Sequence, residues 1–400
     1  MAVDIVTKQP IVIGRPPLIR QTNAQLLLKL LREAGSCSRA DLVRASGLSA
    51  PSVTNVVAHL ASAGLVEPLG EGDSTGGRPP DILRFRSERG CVAAVEIGPA
   101  SLDFLIADLN GRELGRSRIP LQKKTSTPPR VCAQVGKEVR RLMRKLKHSD
   151  EQFLGLAVGV PAIVNVDAGV VVAFSPLKSW TDVGLGDLLR SEFQCAVAVE
   201  NDTNLAAQGE YHRGAAQGEK NFVYITIGEG VGAGIFVGGN LHRGAQWSAG
   251  EIGYLRVPNI SREHPAVYKY GKLEKALGSA GILRNWEMTS HAARPSVKVK
   301  CAADIFDLAA AGNSQARKVL KQRAIILADV VVDLGVILNP SLILLGGDVG
   351  NHPALLQEVQ NLLKGSEFGI ARVGLSALGS SAVLWGAIHT ALEPAILSLL

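Results

Sequence analysis

The chain has 400 residues, 46% of them apolar, and carries 43 Lys and Arg against 36 Asp and Glu, a formal net charge of +7. That length exceeds one small core and suggests two or three units of roughly 100 to 200 residues each. Gly, Pro or charge breaks every apolar run well short of the roughly 20 residues of a membrane helix, and five scattered cysteines without a CxC or CxxC pair argue against a disulfide framework and a cysteine-built zinc site.

Residues 1–19 read as a flexible tail and lack the charged start, apolar stretch and cleavage site of a signal peptide, so the protein is expected in the cytoplasm. The basic balance permits a polyanionic partner, but residues 1–90 hold only 11 Lys and Arg against 8 Asp and Glu. Charge alone does not locate a nucleic-acid site there.

Residues 20–88 are expected to form a winged helix-turn-helix. From Asn23, Leu27, Leu30, Leu31 and Ala34 recur at the spacing of a helix with one buried face, ended by Gly35. Ser38 caps a second helix carrying Val43 and Ala45, which Gly47 stops, and Ser49 caps a third with Pro51 in its first turn. On the third helix Val53, Val56, Val57 and Leu60 share one arc, while Ser52, Thr54, Asn55 and His59 spread over the other. Small hydrogen-bonding side chains near a helix N-terminus suit base edges and phosphates in a major groove. Two strand-like segments, GLVEPLG and DILRFRS, flank EGDSTGGRPP, in which Gly76, Gly77 and Pro79 surround Arg78. Alone, GGRP is a polar hairpin. At this distance behind three helices it is a wing whose Arg78 probes the minor groove or a phosphate. The alternative is a three-helix protein-docking module.

Beyond Cys91, strands alternate with helices, which is the pattern of an α/β body. CVAAVEIG, LDFLIADLNG and LGRSRIPL form a meander, Pro128 to His148 a helix with Val131, Val135, Val139 and Leu142 on one stripe, and FLGLAVGVPAIV a buried strand. Within that helix KEVRRLMRKLK reads as a solvated face rather than a DNA patch. Asn221 to Gly239 repeats the strand, glycine turn, strand theme of residues 91–107, as two related lobes around a cleft would. The lobes are expected at 89–200 and 201–380, with a C-terminal helix at 381–400 packing back on the first.

Four segments, VENDTNLAAQGE (Val199 to Glu210), ITIGEGVGAGIFVGG (Ile225 to Gly239), HRGAQWSAGEIGY (His242 to Tyr254) and LILLGGDVG (Leu342 to Gly350), resemble in order and spacing the ROK family of repressors, open reading frames and kinases. The winged head plus body resembles the family's xylose-repressor-type transcription regulators, from about Arg20 to Ala391. The resemblance implies a two-lobed, actin-like ATPase (ribonuclease H-like) sugar-kinase fold behind the head.

It also implies a sugar site. Asp202, with Asn201 beside it, matches the family's catalytic base, and Glu251 and Glu274 match residues that hold sugar hydroxyls. A carboxylate within reach of a hydroxyl can act as a base or simply bind it. Tyr254, counted with the sugar-binding residues, stands where the family has a zinc-ligating His, and Tyr268 and Tyr270 where it has cysteines, so zinc is not expected; His264 reads as a surface residue. The nucleotide loops are degenerate. Where family kinases have DxGGT this chain has Glu96, Ile97, Gly98, Pro99 and Ala100, and Pro99 removes a backbone donor while Ala100 removes a hydroxyl. Glu96 is expected to keep the charge one methylene further out. Gly228 and Gly230 are kept, but Glu229 between them would repel polyphosphate. Asp348 follows Gly346 and Gly347, a weaker departure.

These changes fall on the ATP half of the cleft and spare the sugar half. The expected protein is a DNA-binding repressor that senses a sugar or sugar derivative without phosphorylating it, needs neither ATP nor magnesium, and binds operator DNA as a homodimer or dimer of dimers. A sugar kinase with an appended head and a regulator insensitive to sugar are the alternatives.

Overall fold

Two consecutive prolines open the first helix, α1 (Pro16–Ala34), where a fixed φ and a missing N–H cost nothing. The computed structural model describes residues 16–71, 81–121, 126–173, 180–256, 271–290, 299–365 and 371–400. They belong to two compact units: Met1–Cys91 with Asp108–Arg112 and Ala395–Leu400, and Val92–Ala107 with Glu113–Pro394.

In the first unit, α1 begins well before Asn23 and buries Ala24, Leu27, Leu28 and Leu31. Leu30 is only half-buried and Ala34 is exposed, which corrects the expected stripe. The frame that starts at Ala24 is the one that α2, α3 and β3 cover. Strand β1 (Ser36–Ser38) leads into α2 (Arg39–Ser46). There the Ser38 hydroxyl accepts from the Asp41 amide at 3.2 Å and the Asp41 carboxylate accepts from the Ser38 amide at 2.9 Å. Gly47, at φ +69°, ends the helix, and α3 (Ala50–Ser62) follows with Ser49 as its cap. Strands β2 (Val66–Glu71) and β3 (Asp81–Phe85) complete a sheet of order β1-β3-β2. The tip that would join them, with Gly76, Gly77, Arg78 and Pro79, lies outside the described residues.

The second unit holds two five-stranded sheets. The first is built from β4 (Cys91–Ile97), β5 (Ser101–Asp108), β6 (Glu113–Pro120), β7 (Phe153–Val160) and, after the β8 (Ile163–Asn165) and β9 (Val170–Ala173) pair, β10 (Ala196–Asn201). Helices α4 (Pro128–Lys145) and α5 (Leu185–Glu192) lie in its crossovers. α4 buries Val131, Val135, Val139 and Leu142 and exposes Lys137, Arg140, Arg141, Arg144 and Lys145. Arg140 and Arg141 pair with Glu192 and Glu138. After α6 (Asp202–Arg213), the second sheet has β11 (Phe222–Ile227), β12 (Val231–Val237), β13 (Asn240–His242), β14 (Leu342–Gly346) and β15 (Arg372–Leu375). Its helices are α7 (Lys272–Leu277), α8 (Ser279–Ser290), α9 (Ala302–Ala310), α10 (Ser314–Leu338), α11 (Gly347–Gly350) and α12 (Pro353–Leu363).

The strand orders are β6-β5-β4-β7-β10 and β13-β12-β11-β14-β15. Counted within each sheet, both read third, second, first, fourth, fifth. The echo between residues 91–107 and 221–239 is therefore the visible part of a duplication that covers both sheets.

The last helix, α13 (Ala382–Leu397), crosses α6 at very short range. A Cβ on Gly209 would lie on the Ala382 carbonyl oxygen, and one on Gly386 would lie on the Leu205 carbonyl oxygen. Val383 also approaches Gly159 of β7. α13 thus approaches both the first sheet's β7 and α6.

Gly209→Ala should destabilise the protein by about 1 to 3 kcal/mol through overpacking. Gly335→Ala, at a position in α10 where nothing lies within 4 Å of a new Cβ, should stabilise it by about 0.5 to 1 kcal/mol. Denaturant unfolding of the two variants checks both signs.

Candidate functional site

The third helix of the head separates its faces cleanly. Val53, Val56, Val57 and Leu60 are buried, while Thr54, Asn55 and His59 are exposed on one outer face. Ser49 accepts the Ser52 amide at 3.3 Å, and the two hydroxyls are 2.8 Å apart. These serines therefore complete the N-cap, and the side chains left to reach outward are Thr54, Asn55 and His59. Gly77 and Arg78 lie outside the described residues.

In the body the chemistry gathers where β10 runs into α6. Asn201 caps that helix: its Oδ1 accepts from the Asn204 amide at 3.0 Å, and its Nδ2 donates to the Ala162 carbonyl at 3.1 Å. The next residue, Asp202, accepts the Thr203 amide at 2.6 Å. Burial still raises the Asp202 pKa above the usual carboxylate range, against the pull of its hydrogen bonds. Three further groups face it or one another. Glu251, at the mouth of the short turn Ile252–Tyr254, is pushed up to about 7 by burial, then by the charges of Asp202 and Glu274. Glu274, in α7, is raised by burial although it accepts the Gly271 amide at 3.2 Å. The Tyr254 phenol is raised by burial, then by Glu251 and Glu274. The fold thus brings Asp202, Glu251, Tyr254 and Glu274 together, with Asn201 holding the helix that presents Asp202.

Glu96 is coupled to acids on both expected halves of the cleft. It lies near the end of β4, and burial, then Asp202 and Asp103, push it up to about 8, with Arg118 opposing and Asp348 adding. Arg118 is itself held 3.3 Å from Asp103 and 3.1 Å from the Ser101 hydroxyl. Burial and these acids therefore favour the protonated form of Glu96, whose charge is coupled both to Asp202 and to Asp348 of the Gly346–Gly347 turn. The turn beyond it closes on itself, with the Gly98 amide donating to the Ser101 carbonyl at 2.9 Å and Pro99 exposed.

The second glycine turn is tied similarly. The Gly228 amide donates to the Gly230 carbonyl at 2.9 Å, and the Gly228 carbonyl accepts the amide and hydroxyl of Ser279 at 2.8 and 2.9 Å. Glu229 is exposed at its tip. Gly347, at φ +80°, lies against Ile227, and a Cβ on Gly228 would come 3.9 Å from the Asp348 amide. The Gly346 and Gly347 turn and the Gly228 to Gly230 turn are thus neighbours.

Sequence reasoning missed the polar scaffold behind these groups. Glu200, 4% exposed, accepts the Asn201 amide at 2.9 Å, Asn204 Nδ2 at 3.0 Å and Arg243 Nε at 2.6 Å. An acid directly before the Asn-Asp pair and an Arg opening the HRGAQWSAGE loop were the available signals. For zinc, the donor set does not fit: Tyr254 replaces a His, its phenol stays protonated at neutral pH, and the sequence has no Cys between Cys195 and Cys301. Tyr268, Tyr270 and His264 lie outside the described residues.

The sequence model of the ROK family matches residues 92–393, and that of the MarR family residues 22–68. The chain is similar to a xylose repressor of Bacillus spizizenii, 25% identical over 349 residues that cover 86% of each protein. Among solved structures it resembles a ROK family transcriptional regulator, homolog of the Escherichia coli MLC protein. The TM-score is 0.79 and the identity 25%, covering 95% of this chain and 98% of that one. A ROK family glucokinase from Streptomyces griseus in complex with glucose and AMPPNP aligns at a TM-score of 0.64 and 25% identity, covering 76% of this chain and 99% of the other. No described helix is long and apolar enough to cross a membrane.

Glu96 makes stability depend on pH with a definite sign. Its folded pKa of about 8 exceeds the ordinary 4.5, so between those values the folded protein keeps a proton that the unfolded chain has lost. Stability falls as pH rises through that window and levels off above it. Glu96→Gln should match the wild type near pH 5 and melt a few degrees higher near pH 8.5, as read by thermal unfolding across pH.

Proposed function

Because the chain belongs to the ROK family, we propose that it is a transcriptional repressor whose α3 reads operator DNA and whose kinase-like body binds a sugar as effector. One observation carries this reading: a helix face of small hydrogen-bonding residues, Thr54, Asn55 and His59, shares a chain with a cleft that assembles Asp202, Glu251 and Glu274. The repressor relative and the regulator of similar structure support the first half, and the glucose-bound kinase of similar fold supports the second.

In this reading Asp202 and Glu251 receive sugar hydroxyls. Asn201 and Glu200 hold the start of α6 in place for them. A sugar changes DNA affinity only if it favours one arrangement of the protein over another, and couplings of about 1 to 3 kcal/mol are usual. Two copies reading a two-fold operator would supply affinity that one head lacks.

We read the body as non-catalytic. Pro99 takes an amide from the first phosphate turn, and Glu229 places an acid in the second. The residues therefore do not favour ATP and magnesium, and no step is routed through them. The opposing reading, a sugar kinase with a DNA-binding head, rests on the kept Asp202.

Incubation with ATP, magnesium and a sugar panel separates the two. The regulator gives no phosphorylated product, whereas turnover that Asp202→Asn abolishes would establish the kinase. A true effector at about 100 times its Kd should add about 2.7 kcal/mol to stability and change the mobility of an operator complex. On the DNA side, Asn55→Ala should change sequence preference, and Arg78→Ala should weaken binding at all sequences while lowering the salt slope by about 1. Unchanged DNA affinity in both variants would remove the proposed docking of the head.

A further inference from the structure

Four described residues other than glycine have positive φ: Lys147, Asp182, Trp247 and Asn339. Asn339 and Asp182 have short side chains that tolerate the left-handed region, and Lys147 lies just past the end of α4, where chains commonly turn left-handed. Trp247, at φ +57°, has neither excuse. A bulky residue in this region is an outlier, and such strain persists where the surroundings enforce it, most often at ligand sites.

The surroundings do enforce it. Trp247 lies within the loop from β13 to Glu251, and both stems of that loop are fixed to the cleft. On one side Arg243 Nε donates to Glu200 at 2.6 Å, and Glu200 in turn holds the Asn201 amide. The Ala249 amide closes the loop onto the Arg243 carbonyl at 3.1 Å. On the other side the Gly250 carbonyl accepts the Ala233 amide at 2.7 Å, and the next residue is Glu251. Gly244 and Gly250 are also left-handed, at +74° and +89°, so the loop turns sharply around Trp247.

The indole makes no polar or ring contact among the described residues, and it is partly exposed. The other tryptophans differ: Trp180 and Trp286 are buried, and Arg213 covers the ring of Trp385 at 3.7 Å.

We propose that Trp247 is a ligand-contacting residue of this cleft, its indole serving as the flat apolar platform on which the ring of the bound sugar stacks. This rests on the sugar-sensing reading above and adds a residue to it. Carboxyl groups such as Asp202 and Glu251 meet a sugar's hydroxyls around its edge. The C–H faces of the ring then need an apolar partner, and an aromatic plane beside a few placed polar groups is the usual complement. A strained backbone kept for the sake of its side chain is the expected signature of such a partner.

The test uses the full chain with a panel of neutral monosaccharides and disaccharides, read by tryptophan fluorescence and thermal shift. A sugar that stabilises the wild type should quench its fluorescence, and the quench should be lost in Trp247→Phe, which still binds. Trp247→Gly relieves the backbone and should melt no lower than the wild type, yet bind that sugar about tenfold or more weakly. Unchanged affinity in Trp247→Gly, or a lower melting temperature that marks a packing role, would overturn the platform while leaving the sensor reading intact. If no sugar shifts the wild type, the sensor reading falls and the platform with it.

Discussion

The body depends on how closely α6 and α13 approach. Gly209 and Gly386 let two helix backbones meet where side chains would hold them apart. Glu210, fully buried on α6, locks the same junction by accepting the Ser376 hydroxyl at 2.5 Å, the Leu378 amide at 2.9 Å and the Ala215 amide at 2.7 Å. A buried carboxylate is stable only when so satisfied. Since α6 begins at Asp202, fixing its far end fixes the group at the centre of the cleft. A displacement at that group has a rigid rod and a second packed helix through which to act.

The cleft manages its charge by an uncommon route. Asp103 is paired with Arg118, but Asp202, Glu251 and Glu96 crowd together with no ion pair to a cation among the described residues. Burial and mutual repulsion raise the pKa of each, which favours keeping protons on part of the set. Carboxyl groups that keep a proton can donate as well as accept, which suits hydroxyl-rich ligands better than polyphosphate.

Much of this was legible in the chain. The caps Ser38 and Ser49 and the stop at Gly47 stand out because each is a local hydrogen bond or a single φ value. The buried arc of α3 follows from periodicity alone. The register of α1 was misread because Leu30 and Ala34 fit the same spacing as Ala24 and Leu28, and only the neighbours that cover the helix decide between the frames. The raised pKa of Glu96 was invisible for a related reason. It depends on Asp202 and Asp348, more than 100 positions away, which only the folded sheets bring near. Glu200 and Arg243 were missed because their work is to hold other residues, and such support leaves no motif.

Asn201 does two jobs: it would face the ligand, and it already caps α6 and ties down the Ala162 carbonyl. A protein can hardly alter such a residue to suit a new ligand without loosening the helix. Trp247 carries no comparable hydrogen bond among the described residues. Descendants of this chain could therefore drift to new effectors by exchanging that side chain, while Asn201, Glu200 and the glycine crossing behind them stay as the inherited frame.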